Sequence, residues 1–215
     1  MSILPNKLLL NILACGMVLT CPLHAGPLAQ TATKNGTTTT NSTKQFQDWK
    51  TFTAEKNGFS VSLPVEPEHV EQTIEIPKTD LKISYDTYLS EPNEDSVYVI
   101  SVWNYPSEVD MSKPEVNLQD GFGGMLSALP GSEVLAMKMT KVGGFDALEF
   151  LVKNEEIYFQ GELILVHNTL YQVFTVYKGG QDMTDNYTHF IDSFKLTDTD
   201  KQKVAPKANG RKVRV

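Results

Sequence analysis

A repeat of two residues constrains this chain more than anything else in it. From His69 to Ile76 the side chains alternate: Val70, Gln72, Ile74 and Ile76 take one side, and His69, Glu71, Thr73 and Glu75 the other. Alternation of this kind marks a strand with one face buried. Strand-like runs recur at residues 49–54, 59–63, 81–89, 97–105, 133–142, 145–153, 157–166 and 170–177. Turn residues separate them. Asn57-Gly58 predicts a type I′ hairpin turn, whose two central residues both need φ > 0, and Pro64 ends the strand that follows. A polar turn spans Glu91 to Asp95, while Gly143-Gly144 and His167-Asn168-Thr169 predict tight connections. Val97 to Val102 is nearly all apolar, the pattern of a central strand covered on both faces.

Two stretches change period. Leu118, Phe122, Met125, Leu126 and Leu129 form one helical stripe, with Asn117 as the expected N-cap, Asp120 in the first turn and Pro130-Gly131 as the stop. Gly121, Gly123 and Gly124 weaken this helix by about 1 kcal/mol each relative to Ala, or let it lie close against a sheet. A last helix is predicted from Met183 to Phe194, with Asp182 as its N-cap and Met183, Tyr187, Phe190, Ile191 and Phe194 as its apolar stripe. A meander of strands interrupted by one helix and closed by another predicts the α+β class, a single domain with an antiparallel sheet flanked by helices.

The first 25 residues read as an export signal. Met1 to Lys7 carry one basic side chain, Leu8 to Thr20 are apolar except at Asn11 and Gly16, and Pro22 and Ala25 precede Gly26. The run is too short for a membrane span. Cleavage between Ala25 and Gly26 leaves a soluble extracytoplasmic protein, periplasmic or secreted. The alternative reads Ile12-Leu13-Ala14-Cys15 as a lipobox, with Cys15 lipidated; Cys21 is a second candidate, although Thr20 is a poor residue to precede it. On that route alone is a membrane contact expected. Cys15 and Cys21 are the only cysteines, so cleavage after Ala25 leaves no disulfide, no thiol nucleophile and no thiolate metal site. Four segments follow: an export signal at 1–25, a Thr-rich disordered linker at 26–45, the folded domain at 46–197 and a basic disordered tail at 198–215.

Residues 46–197 carry 24 Asp and Glu against ten Lys and no Arg, a net of −14. Such a domain lacks the cationic surface that phosphate contacts require, so no nucleic-acid partner is expected. The densest acidic stretch holds Glu66, Glu68, Glu71 and Glu75 around His69. Carboxylates suit a divalent cation, but the stretch lacks the spacing and turn glycine of a calcium loop, and solvent exposure is the expectation there. Asp185 and His189 stand four apart on the last helix, where they can share a proton. His167 falls at a hairpin tip. No serine elbow, paired-histidine zinc motif or phosphate loop is present, and Gly121-Phe-Gly-Gly124 follows no strand. No enzyme activity, cofactor or metal is expected.

Short motifs carry one resemblance. Phe52, Asn57-Gly58-Phe59-Ser-Val-Ser-Leu-Pro64, Leu129-Pro130-Gly131, Leu170-Tyr171-Gln172-Val173 and Phe190-Ile-Asp-Ser-Phe-Lys195 together resemble the PsbP-like superfamily over most of residues 46–196. The resemblance implies an antiparallel sheet flanked by helices, in a family with mostly non-enzymatic binding or assembly roles. It carries no site residue across. The expected function is an exported, non-catalytic domain that binds or helps assemble an envelope component, its partner an envelope or secreted protein of unknown identity. Two alternatives stand beside it: a hydrolase with a carboxylate–histidine site near His69 or His189, and a small-ligand carrier with a cavity under the Gly-rich helix. Trp49, Trp103, Tyr105, Phe122 and Phe145 either line a binding cleft or fill the core.

Overall fold

The computed structural model describes residues 46–76 and 79–197. The expected export signal with Cys15, Cys21, Ala25 and Gly26, the Thr-rich linker and the basic tail lie outside the described residues. Among the described residues no helix is long and apolar enough to cross a membrane.

The strands are β1 (Lys50–Ala54), β2 (Phe59–Leu63), β3 (Glu68–Glu75), β4 (Lys82–Asn93) and β5 (Ser96–Asn104). Helix α1 (Pro114–Ser127) then precedes a four-strand meander of β6 (Glu133–Val142), β7 (Phe145–Asn154), β8 (Ile157–Val166) and β9 (Thr169–Lys178). Helix α2 (Thr184–Ser193) and the short β10 (Lys195–Leu196) close the chain. One antiparallel sheet runs in the order β3-β4-β5-β9-β8-β7-β6, and a small one in the order β1-β2-β10. This is the α+β architecture that the alternating and helical patterns predict. The meander folds back so that β9 joins β5, which leaves β3 and β6 at the two edges of the large sheet.

Alternation divides the molecule into layers. Along β5, Val97, Val99 and Trp103 join one apolar cluster with Leu118, Phe122, Met125 and Leu129 of the α1 region. Tyr98, Ile100 and Val102 point the other way, into a second cluster with Phe59, Val61 and Leu63 of β2 and Phe190 of α2. The large sheet is therefore covered by α1 on one face and by the small sheet and α2 on the other. Each large side chain buried this way stabilises the fold by about 1.5–3 kcal/mol. Trp103 is stacked on Tyr85 with ring centroids 4.5 Å apart, and its buried Nε1 has no hydrogen-bond partner among the described residues.

Local chemistry departs from the sequence reading at one turn and at the starts of both helices. Asn57-Gly58 forms no type I′ turn: Ala54 pairs with Phe59, Glu55–Asn57 makes a single 3₁₀ turn, and Gly58 supplies the left-handed position at φ 65°. Two consecutive left-handed residues occur instead at Gly143 and Gly144, φ 58° and 88°, between paired Val142 and Phe145. Helix α1 starts at Pro114 rather than at Asn117, because proline has φ preset and no N–H to leave unpaired; Asn117 Nδ2 donates instead to the Asp110 carbonyl at 3.3 Å. At α2 the N-cap is Met183 rather than Asp182 and has no side-chain cap; Asp182, one residue earlier, accepts from Thr184 N through Oδ1 at 3.1 Å. The aromatic residues are divided: Trp103, Tyr105 and Phe122 are buried core, whereas Trp49 and Phe145 are half-buried.

Candidate functional site

Asp86 is the first site to consider, since it joins His69 of the acidic stretch to a buried carboxylate. Asp86 lies on the face of β4 turned toward the small sheet, 1% exposed. Its Oδ2 accepts from Asn57 Nδ2 at 2.9 Å, and its Oδ1 accepts from His69 Nε2 at 2.7 Å. Lys56 Nζ stands 3.4 Å from Oδ1 and 2.8 Å from Glu71. Burial pushes the Asp86 carboxyl up, but hydrogen bonds from Asn57 and His69 and the charge of Lys56 outweigh it and hold the group below its usual range. Tyr88 stacks on the His69 ring at 4.4 Å, and its hydroxyl is pushed up to about 12 by burial and by Asp86.

A histidine on a buried carboxylate is the arrangement that the hydrolytic alternative would require. Here, however, the contacts of His69 are Asp86 and the Tyr88 ring, and no serine, threonine or cysteine side chain hydrogen-bonds to its imidazole among the described residues. The same group ties the two sheets together. Lys56 and Asn57 sit in the connection of the small sheet, Asp86 and Tyr88 on the large one, and Tyr171 of β9 donates its hydroxyl to the Asn57 carbonyl at 2.8 Å. Glu66, Glu68, Glu71 and Glu75 are exposed, as the alternation requires. Among the described residues no three His, Asp or Glu side chains are placed to hold a metal ion.

His189 goes elsewhere. Its ring lies flat on Phe46 at 4.0 Å with Trp49 edge-on at 5.0 Å, and Nε2 is 3.3 Å from Ser62 Oγ. No hydrogen bond joins it to Asp185, which is exposed. Burial lowers the His189 pKa, and Asp192 opposes that shift. The proton sharing that the spacing of Asp185 and His189 allows is not seen; His189 instead forms an aromatic latch, in which α2 holds Phe46 at the start of the described chain. His167 occupies the β8–β9 turn at φ 53°, edge-on to Phe145. The α1 face toward the sheet is filled by Leu118, Phe122 and Met125, Phe122 meeting Phe150 at 5.4 Å, where the carrier alternative calls for a cavity.

Glu162 has no counterpart in the sequence reading. It sits half-buried on β8 directly opposite Glu149 of β7, with Asp192 of α2 acting on it as a third negative charge. Burial first, then Glu149 and Asp192, push its carboxyl up to about 7. A raised acid pKa in the folded state means that stability is complete below the unfolded value and is lost as pH rises toward 7. Glu162→Gln should therefore leave the melting temperature nearly unchanged at pH 4.5. At pH 8 it should stabilise the protein by about 1–2 kcal/mol, after discounting for partial exposure. An equal effect at both pH values would refute this.

The two sheet edges differ in kind. On β3 the charged residues Glu71 and Glu75 recur along an exposed face, and Glu75 and Glu71 reach Lys82 and Lys56 at 3.2 and 2.8 Å. That is a protected edge. On β6 the chain reads Glu133-Val-Leu-Ala-Met-Lys138, and Val134, Leu135 and Met137 are 43%, 43% and 52% exposed. Val134 pairs with Val152 and Ala136 with Leu151, so Leu135 is an extra residue that bulges from the ladder. Among the described residues neither helix packs along this strand, which leaves it an edge that is apolar at its centre.

No family model matches the chain, and comparison with curated proteins finds no match. Among solved structures the chain is similar to the cyanobacterial PsbP (CyanoP) of Synechocystis sp. PCC 6803, with 11% identity, TM-score 0.48, and 69% of this chain and 92% of that one covered. A protein of unknown function from Pseudomonas aeruginosa aligns at 11% identity and TM-score 0.36 over 61% of this chain and 83% of its own. A Bacteroides thetaiotaomicron protein aligns at 12% identity and TM-score 0.39 over 70% of this chain and 49% of its own.

Proposed function

We propose that this chain is an exported, non-catalytic interaction domain that binds or helps assemble a component of the cell envelope, and that β6 is its docking edge. The supporting observation is the exposed run Val134, Leu135 and Met137 on a strand whose outer hydrogen-bonding groups have no partner strand in the sheet order. An edge of this kind takes up an extended segment of another polypeptide, with main-chain hydrogen bonds for affinity and alternate side chains for selectivity. The acidic character of the domain and the export signal read from residues 1–25 support an extracytoplasmic protein partner over a nucleic acid.

The test is crosslinking in the native cell. A photoreactive residue at Met137 should give one discrete protein adduct. The same residue at Thr73, on the exposed face of the opposite edge, should give none. Equal labelling from both positions, or no adduct from Met137, would refute the docking edge.

A further inference from the structure

We infer that the strand taken up by β6 is β6 of a second copy of this chain, joined antiparallel about a two-fold axis at Ala136. The inference rests on the reading of β6 as a docking edge and adds its occupant.

Register carries the argument. Two identical antiparallel strands related by a two-fold axis perpendicular to their sheet must place same-face residues opposite one another. In β6 the bulge at Leu135 shifts the face of everything before it. Pairing with β7 assigns the faces: Glu133 opposes Lys153 and Lys138 opposes Glu149, on the α2 side, whereas Val134 opposes Val152 and Met137 opposes Phe150, on the α1 side. With Leu135 counted as the extra residue, an axis through Ala136 sets Met137 against Val134 of the other copy and Lys138 against Glu133. Both contacts occur twice. Each pair shares a face, each joins matching chemistry, and the small Ala136 side chain lies at the axis where the two strands approach.

The charges are free to be used in this way. Among the described residues Glu133 and Lys138 form no ion pair or side-chain hydrogen bond, and both are exposed. An axis moved one position along, to Met137, would leave both charges without a partner; one moved two positions, to Lys138, would set Lys138 against itself. Because among the described residues neither helix packs along β6, two copies can join into one continuous sheet with both α1 helices on the same side. Leu135 stays outside the pairing ladder.

The experiment is sedimentation of the full chain across a micromolar concentration series, with circular dichroism as a check on folding. Wild type should form a dimer. Lys138→Glu and Glu133→Lys, each placing like charges opposite one another twice, should weaken association about tenfold or more. The double exchange Glu133→Lys/Lys138→Glu should restore it. A folded double variant that stays monomeric, or a dimer indifferent to both single changes, overturns the register. A wild-type monomer overturns the self-pairing. If Met137 still crosslinks to another envelope protein in that case, the docking edge stands without it; if Met137 gives no adduct either, both readings fall.

Discussion

Gly161→Ala should destabilise the fold by about 3 kcal/mol or more, at the upper end of what overpacking costs. Gly161 lies in β8, an internal strand, between Phe150 of β7 and Phe174 of β9. A methyl group at its α-carbon would stand 2.2 Å from Phe174 Cβ, 2.3 Å from the Val173 carbonyl oxygen and 2.5 Å from Phe174 Cα. Two of these are backbone atoms, so no side-chain rotation relieves the contact and the ladder itself must shift. Gly123 is the control. It faces open space on the exposed side of α1, and Gly123→Ala should gain up to about 1 kcal/mol from helix propensity. Urea midpoints of the two variants should move in opposite directions; a wild-type midpoint for Gly161→Ala would refute the close approach of β8 to β9.

Asp86→Ala should cost about 2–3 kcal/mol at pH 7, because it leaves buried Asn57 without its acceptor and opens a gap in the clasp between the sheets. The exposed partners Lys56 and His69 regain water and add little. The pH dependence has a definite sign. Asp86 has a folded-state pKa below its ordinary 3.8. Its stabilisation is therefore complete above that value and declines as pH falls through the depressed folded value. The gap between variant and wild type in denaturant titrations should accordingly narrow in acid. Glu162→Gln behaves in the opposite sense, its benefit growing as pH rises. A constant gap for Asp86→Ala from neutral pH down to acid would mean that the carboxylate charge contributes nothing to the clasp.

Much of this architecture was legible in the chain because it follows from short-range rules. The alternation in β3 places Val70, Gln72 and Ile74 inward and Glu71, Thr73 and Glu75 outward, as observed. The doubly apolar run of β5 lies in the interior of the sheet, between β4 and β9, with both faces buried. The stripe Leu118, Phe122, Met125 and Leu129 marks the face that the α1 region buries. The reading erred where a tertiary partner or a stronger local preference competed. At Asn57 a buried aspartate 29 residues away claims the side chain, and the turn becomes 3₁₀. At Asn117 a proline three residues earlier starts the helix first.

The candidate sites were less legible for a related reason. Asp86 and Glu162 are single acids inside apolar runs, and the one visible signal is that such residues are depleted in strands. What surrounds each arrives from distant parts of the chain. The run Val134-Leu-Ala-Met137 reads from sequence like an interior strand, and its exposure comes only from its place at the end of the strand order.

The sequence by itself determined the α+β class, the strand and helix inventory, the acidic character of residues 46–197 and the confinement of both cysteines to the first 21 residues. These are properties of composition and of periods two and 3.6, which act over a few residues. Tertiary structure alone decided that β9 joins β5, that His69 meets Asp86 while His189 meets Phe46, and that β6 rather than β3 is the open apolar edge. Those outcomes depend on which distant segments lie side by side. A local pattern states what each strand must bury, and only the packed chain states what it is buried against.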